Sequence, residues 1–354
     1  MKLAILCSGQ GAQHPAMFRL TRAAAPALFE HAARLLGAPV DSWLAHADSA
    51  MLSDNRSAQI LCTLQTLAAA AALGDAWPAE CCVAGYSVGE LAAWGVASLI
   101  EPPAVLRLAA ARAQLMKTHS AFDGAMIAVR GLERSVVERL CDGRDAAIAI
   151  VNPADSYVIA GRRAALTDIA TAARAAGASR IVALPVEVAS HTRFLAGAAA
   201  AFSTLAATVV AVNSAVGPAV RHAVRHAVGP AVGPAVGHAV GPVLSPAVRP
   251  DVRPDLPRMR LFSGIDAAPV IDVAAGIDKL ARQIEQPVRW DACLAACVEH
   301  GASAFLELGP GRALSDMAAA TYPQLAARSL EDFRSIDGVR RWLRNVASDG
   351  GTSV

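Results

Sequence analysis

Residues 81–94 read Cys-Cys-Val-Ala-Gly-Tyr-Ser-Val-Gly-Glu-Leu-Ala-Ala-Trp. An apolar run is followed by a Gly-x-Ser-x-Gly pentapeptide and then by residues that favour a helix. This order predicts a strand, a sharp turn and a helix, which is the context of a nucleophile elbow. Ser87 would then project its hydroxyl beside a helix N-terminus, which favours negative charge. The alternative interpretation is a glycine-rich turn with an incidental serine.

The composition is that of a globular protein with room for about two domains. Of the 354 residues, 54% are hydrophobic and 18% are charged, and the net charge is +2. This balance gives no electrostatic reason to expect a nucleic-acid partner. The apolar N-terminus is too short for a signal segment, and residues 68–73 are too few to span a membrane. We therefore expect a soluble, cytoplasmic protein that binds neither nucleic acid nor membrane.

The seven cysteines lie mostly in apolar segments, and none forms a Cys-x-x-Cys pair. Cys293 and Cys297 are four residues apart on a predicted helix, but no second His or Cys pair completes a zinc set. We expect buried, reduced thiols, no metal site and no cofactor.

Short apolar strands alternate with helices at the start of the chain. The predicted strands are 3–7 and 81–84, and the predicted helices are 56–73, 90–99 and 103–120. Alternation of this kind indicates a parallel sheet covered by helices. Together with the elbow, it predicts a large α/β-hydrolase-like subdomain formed by residues 1–122 and 191–354.

A different order of elements begins near residue 124. The predicted elements are strand 125–129, helix 132–140, strands 146–152 and 156–161, helix 166–176 and strand 179–188. Strand-helix-strand-strand-helix-strand is the ferredoxin-like order. We therefore predict an inserted ferredoxin-like small subdomain at residues 123–190.

Residues 215–257 repeat Ala-Val-Gly-Pro and its variants every four residues. Proline at this density removes amide donors and blocks helices, and no residue in the repeat is large enough to build a core. The period matches no solenoid repeat. We predict an unstructured insertion; weak metal binding by its three histidines is the less favoured alternative.

A serine nucleophile needs a general base within hydrogen-bond reach. His191 is the preferred candidate because it directly follows the predicted strand 179–188, where a side chain can project from the strand end. The alternative is a surface loop histidine.

Acyl transfer also requires donors for the developing oxyanion. The Val88 amide follows the nucleophile and is one candidate, and the loop around Gln10 after the first strand is the other, unless it is a plain flexible loop. Arg112 lies in an apolar-rich helix. If it faces inward it needs an anionic partner such as a carboxylate; the alternative is a solvated helix residue.

Together these motifs resemble the malonyl-CoA:acyl-carrier-protein transacylase family over nearly the whole chain outside the repeat. The matching segments are Gly9–Gln13, Gly85–Glu90, Arg112, Ile150–Asn152, Ser190-His191, Gln283–Trp290 and Glu307–Gly311. The resemblance implies that Ser87 is the nucleophile, that His191 is the base and that Arg112 holds the malonyl carboxylate. It places Asn152 beside the site and makes the backbone carbonyl of Gln283 the group that orients the base, so no third acid is expected.

Two residues depart from the family pattern: Ser8 replaces a proline, and Tyr86 replaces the histidine before the nucleophile. Neither change removes a catalytic group, but Tyr86 alters the pocket beside Ser87. Modular polyketide relatives that use methylmalonyl carry serine at the position of Ser190, and so do free-standing malonyl enzymes. We therefore expect malonyl as the acyl group.

Within the family, the elbow and the segments around His191 and Gln283 are most similar to the epsilon subunit of bacterial malonate decarboxylase. This implies as partners malonyl-CoA, an acyl carrier protein with a phosphopantetheine-type arm, and other subunits of the decarboxylase. The alternatives are a fatty-acid or polyketide malonyl transacylase, a serine thioesterase or hydrolase, and a catalytically silent subunit. Arg112 argues against a hydrolase, since most hydrolases need no carboxylate clamp.

Overall fold

A computed structural model describes residues 2–215 and 259–349 of the chain. The predicted unstructured repeat at 215–257 lies outside the described residues, apart from Ala215, which ends a helix.

The described residues form two sheets surrounded by helices. The strands are β1 (Lys2–Cys7), β2 (Glu80–Gly85), β3 (Gly124–Arg130), β4 (Ala146–Asn152), β5 (Ser156–Arg162), β6 (Arg180–Leu184), β7 (Met259–Leu261), β8 (Val288–Arg289), β9 (Ala302–Glu307) and β10 (Ala326–Ser329). The helices are α1 (Pro26–Leu36), α2 (Val40–His46), α3 (Ser49–Ser53), α4 (Asn55–Leu73), α5 (Val88–Val96), α6 (Pro102–Thr118), α7 (Arg134–Cys141), α8 (Arg163–Ala175), α9 (Ala198–Ala215), α10 (Val273–Arg282), α11 (Trp290–Glu299), α12 (Ala313–Thr321) and α13 (Ile336–Asp349).

The first sheet is parallel, in the order β10-β9-β1-β2-β7. Its central strand β1 is an unbroken apolar run with every residue from Leu3 to Cys7 buried, as expected when helices cover both faces of a parallel sheet. β1 and β2 pair in register, so Cys7 lies opposite Gly85 at the carboxyl ends of the two strands. The predicted mixed α/β fold with a parallel sheet is confirmed.

Helix α4 runs through the middle of this unit. Asp54 caps it by accepting a hydrogen bond from the Ser57 amide at 3.0 Å. Among the described residues, Asn55–Ala76 is the one helical segment long and apolar enough to cross a membrane, with a mean hydropathy of 1.3. However, 78% of that window is buried inside the protein, where α4 packs against α1, α5 and α6. Its apolar composition is therefore explained by its place in the core.

The second sheet has the order β6-β3-β5-β4-β8. Its first four strands are antiparallel neighbours and follow one another in the chain as β3-α7-β4-β5-α8-β6. One face forms a separate core with α7 and α8, in which Val129, Val137 and Ile159 are buried. The other face joins the core of the parallel-sheet unit through Met126 and Val158.

In this region one strand was not predicted, and another was predicted to end too late. The fifth strand, β8, pairs with β4 in parallel although it lies outside the predicted boundaries 123–190. The last predicted strand, 179–188, ends at Leu184, because Pro185 has no amide to continue the ladder. His191 therefore lies in a loop, and this loop crosses the backbone of Gly124, where a Cβ would come within 2.6 Å of the Ala189 nitrogen.

Candidate active site

The elbow between β2 and α5 is held by close backbone contacts. Ser87 has a positive φ of 58°, a conformation that costs energy for any residue with a Cβ and that is found at functional turns. A Cβ on Gly85 would lie 2.1 Å from the Glu90 nitrogen, and one on Gly89 would lie 2.0 Å from the Cys7 carbonyl oxygen. Both glycines are therefore required by the packing of the turn against itself and against β1.

We expect Gly89→Ala to destabilise the protein severely, since the new methyl group meets the backbone of β1 rather than a movable side chain. The expected loss in the free energy of unfolding is more than about 3 kcal/mol. Gly143→Ala is the control: Gly143 has a positive φ of 66°, unlike Gly89, but an added methyl group there would have nothing within 4 Å, and we expect a loss of about 1 kcal/mol from the backbone conformation alone. Urea unfolding of both variants measures the difference; equal losses would contradict this account of the elbow.

His191 lies directly beside the nucleophile. Its Nδ1 donates to the backbone oxygen of Gln283 at 2.6 Å, which leaves Nε2 as the acceptor in the neutral ring. The Ser87 hydroxyl therefore donates to Nε2, over 2.8 Å. The loop carrying His191 is also fixed by its amide, which donates to the Ile284 oxygen at 2.9 Å. Serine and base are thus aligned for proton transfer without a carboxylate.

The ring of His191 is buried and neutral. Burial and the charge of Arg112 lower the pKa of His191 to about 3, and the hydrogen bond to Gln283 opposes them. Because protonation requires a pH near 3, the base stays available as the pH falls from 8 to 5. We expect the NMR shifts of the His191 ring to stay constant over this range. A midpoint near the ordinary value of about 6.5 would show a solvated histidine and contradict the geometry.

Two candidate oxyanion donors also lie at the elbow. Val88 is the first residue of α5, so its amide has no partner within the helix. The loop after β1 packs against the turn, since a Cβ on Gly9 would lie 3.5 Å from the Cβ of Ser87. This contact brings the loop that carries Gln10 beside the turn of the nucleophile, as expected when two neighbouring parallel strands end together.

The same loop is anchored by a buried carboxylate that the sequence interpretation did not assign. Ser8 donates from its hydroxyl to Glu307 Oε1 at 2.7 Å, and the Ser315 amide donates to Oε2 at 2.8 Å. Burial raises the pKa of Glu307 to about 7, and its hydrogen bonds act in the opposite direction. The Gly-Gln-Gly loop is therefore tied to the end of β9.

Arg112 faces inward from α6 and is almost fully buried. Its Nη1 donates to Gln59 Oε1 at 2.9 Å, and its Nη2 donates to Gln283 Oε1 at 3.2 Å. Its Nε has no partner among the described residues. Burial lowers the pKa of Arg112 to about 10, which leaves the guanidinium charged at neutral pH. The charge of Glu90 opposes this effect of burial, but the hydrogen-bond partners of Arg112 are neutral, and a buried cation with a free N–H is suited to bind an anion.

A family model described as "acyl transferase domain" matches residues 5–228. The chain belongs to this acyl transferase family. The malonyl CoA-acyl carrier protein transacylase of Mycobacterium bovis is 30% identical over 72% of the chain and 70% of its own length. That of Escherichia coli K12 is 25% identical over 94% of the chain and 96% of its own length. Among solved structures, the crystal structure of MCAT from Mycobacterium tuberculosis superimposes with a TM-score of 0.76. Its sequence is 28% identical, and the match covers 98% of this chain and 100% of that one. The predicted enzyme family, malonyl-CoA:acyl-carrier-protein S-acyltransferase, is confirmed.

In this acyl transferase, the ring of the residue before the nucleophile contacts both the loop at Gly9 and Trp290. The Tyr86 ring meets Trp290 edge-on, with 5.4 Å between centroids. Burial raises the pKa of Tyr86 to about 12, against the effect of the Asn152 side chain beside its hydroxyl. Asn152 is 8% exposed, and its Oδ1 has no partner among the described residues. Asn152 therefore lies next to Tyr86, the residue before Ser87, and its Oδ1 is free to accept a hydrogen bond.

Three polar residues near the acyl transferase site were given no role from the sequence: Gln59, and Glu90 and Glu307, which were named only as ends of matching segments. Gln59 lies in the apolar run of α4. A polar residue in such a run indicates a buried side chain that hydrogen-bonds inside the protein. Glu90 directly follows the elbow and is 1% exposed. Among residues 2–215 and 259–349, no three His, Cys, Asp or Glu side chains group as a metal site would require.

Proposed function

We propose that this acyl transferase moves a malonyl group from malonyl-CoA to the thiol of a carrier protein through a malonyl-Ser87 ester. The observation that carries the proposal is the shared position of Gln283. Its backbone oxygen orients His191, and its side chain accepts from Arg112. A charged site for a carboxylate and a serine–base pair are thereby joined through one residue.

The first half-reaction forms the ester. His191 Nε2 takes the Ser87 proton as Oγ attacks the thioester carbonyl carbon. The oxygen becomes an oxyanion that the Val88 and Gln10 amides stabilise. The carbon–sulfur bond then breaks, and the CoA sulfur leaves as a thiol with the proton from His191.

The second half-reaction reverses these steps with a new thiol. His191 takes the proton of the carrier thiol, the sulfur attacks the ester carbonyl, and Ser87 leaves with that proton. Between the two half-reactions, Arg112 pairs with the free malonyl carboxylate, and Asn152 lines the acyl pocket. A dry pocket favours the thiol over water.

We further infer an α/β-hydrolase-like subdomain (1–122 and 191–354) that carries the nucleophile and a ferredoxin-like subdomain (123–190) that covers it. The β-α-β-β-α-β order of residues 124–184 supports this division. We infer a cytoplasmic location for the enzyme.

We propose the carrier protein of malonate decarboxylase as the acceptor. The support is the similarity of the elbow and of the His191 and Gln283 segments to the epsilon subunit of that enzyme. The named relatives act with acyl carrier proteins, so a fatty-acid or polyketide carrier is the alternative.

The acceptor is tested by comparing kcat/KM for the decarboxylase carrier and the fatty-acid carrier, both with malonyl-CoA as donor. We expect at least tenfold preference for the decarboxylase carrier, which corresponds to about 1.4 kcal/mol. Ser87→Ala with each carrier gives the background rate. A clear preference for the fatty-acid carrier would refute this acceptor and leave the transfer chemistry standing.

A further inference from the structure

Beneath the nucleophile, one carboxylate holds the side chain of Gln283. Glu90 lies on the first turn of α5, three residues after Ser87, and turns into the protein. Its Oε2 accepts from the Gly264 amide at 3.0 Å and from Gln283 Nε2. A Cβ on Gly264 would come within 2.5 Å of the same oxygen, so the backbone is packed tightly around the carboxylate.

The amide of Gln283 is thereby fixed in one orientation. Its Nε2 donates to Glu90 and, at 3.3 Å, to the Ser87 carbonyl oxygen, and these two acceptors exclude the amide oxygen from that side. The amide oxygen must then face Arg112, where it accepts from Nη2. A flipped amide would place an N–H against the guanidinium and an oxygen against a carboxylate.

We propose that Glu90 is a positioning residue for acyl selectivity, acting through the Gln283 amide to aim the Arg112 guanidinium at the acyl carboxylate. This deepens the proposed function and rests on it. Burial of Glu90 beside these groups, with its other oxygen unpartnered, makes the position costly for stability and points to a use in the site.

The test measures transfer of malonyl and of acetyl groups by Glu90→Leu, per active site counted by acyl-enzyme formation. We expect the malonyl-to-acetyl ratio of kcat/KM to fall at least about tenfold, since only malonyl uses Arg112. Glu90→Gln keeps an acceptor for Gly264 and Gln283, and its ratio should stay within about threefold of the parent enzyme. Glu307→Gln, a change at the other buried carboxylate near the site, should leave the ratio unchanged whatever it does to stability.

A second variant keeps the proposal testable if Glu90→Leu does not fold. Gln283→Met removes the amide and retains the backbone oxygen that orients His191. We expect the malonyl-to-acetyl ratio of kcat/KM to fall as far as in Glu90→Leu. The double variant with both changes should show no further fall in this ratio.

Three results would overturn the proposal: equal losses for both acyl groups, additive losses in the double variant, or a loss of ratio in Glu90→Gln. If the parent enzyme shows no preference for malonyl, the proposed function fails instead. If the parent shows the preference and the variants retain it, only the role of Glu90 is refuted.

Discussion

Ser87→Ala is expected to abolish acyl-enzyme formation while the fold is retained. The hydroxyl makes one side-chain hydrogen bond, to His191, and alanine adds no strain at a positive φ that serine already adopts. Removing a nucleophile costs at least about a thousandfold in rate. Intact-protein mass spectrometry after exposure to malonyl-CoA should show no added malonyl group.

Ser190→Ala is the matched control for this change. Ser190 is buried beside the base, whereas Ser87 is half-buried on the elbow, and the Ser190 variant should still take up one malonyl group. Persistent labelling of Ser87→Ala at another residue would show that Ser87 is not the nucleophile.

Arg112→Ala is expected to lose malonyl transfer far more than acetyl transfer. The guanidinium is buried with its Nε unpartnered, so a substrate carboxylate supplies the charge-assisted bonds that the site lacks. Loss of such a pair costs about 2–4 kcal/mol, which corresponds to about 30- to 1000-fold in kcat/KM for malonyl-CoA. Arg112→Lys keeps the charge but not the planar fork. Its kcat/KM for malonyl-CoA should therefore lie between the values of Arg112→Ala and the parent enzyme.

Arg107→Ala provides the control, because Arg107 lies on the exposed side of the same helix. Its malonyl-to-acetyl ratio should match that of the parent enzyme. If Arg112→Ala reduces both acyl transfers equally, Arg112 serves only the structure around Gln59 and Gln283.

Much of the fold could be predicted because local signals agree there. The apolar run before Gly85 and the helix-favouring residues after Ser87 predicted the strand and helix that the structure contains. The two residues of β8 could not be predicted, since a strand so short has no periodicity and depends on pairing with β4. The end of β6 was placed too late because the apolar pattern continues past Pro185.

The site was predictable only where a residue type implies its own chemistry. Ser87, His191 and Arg112 were proposed from their chemistry and from the family resemblance, and the structure brings them together around Gln283. Glu90 was named only as the end of a matching segment, and its residue type implied no role, because a glutamate in the first turn of a helix is ordinarily a solvated residue that favours the helix dipole. Its inward direction is set by packing against Gly264, which is distant in sequence.

A pulse-chase measurement tests most directly whether the malonyl ester on Ser87 is stable until a thiol acceptor is added. The enzyme is pulsed with malonyl-CoA, freed of the donor and divided between buffer and carrier-protein thiol, and the adduct is located by peptide mass mapping. We predict one malonyl group on Ser87 that persists in buffer and passes to the carrier when the thiol is added. Loss of the adduct at the same rate with and without the thiol would indicate a hydrolase and contradict the account.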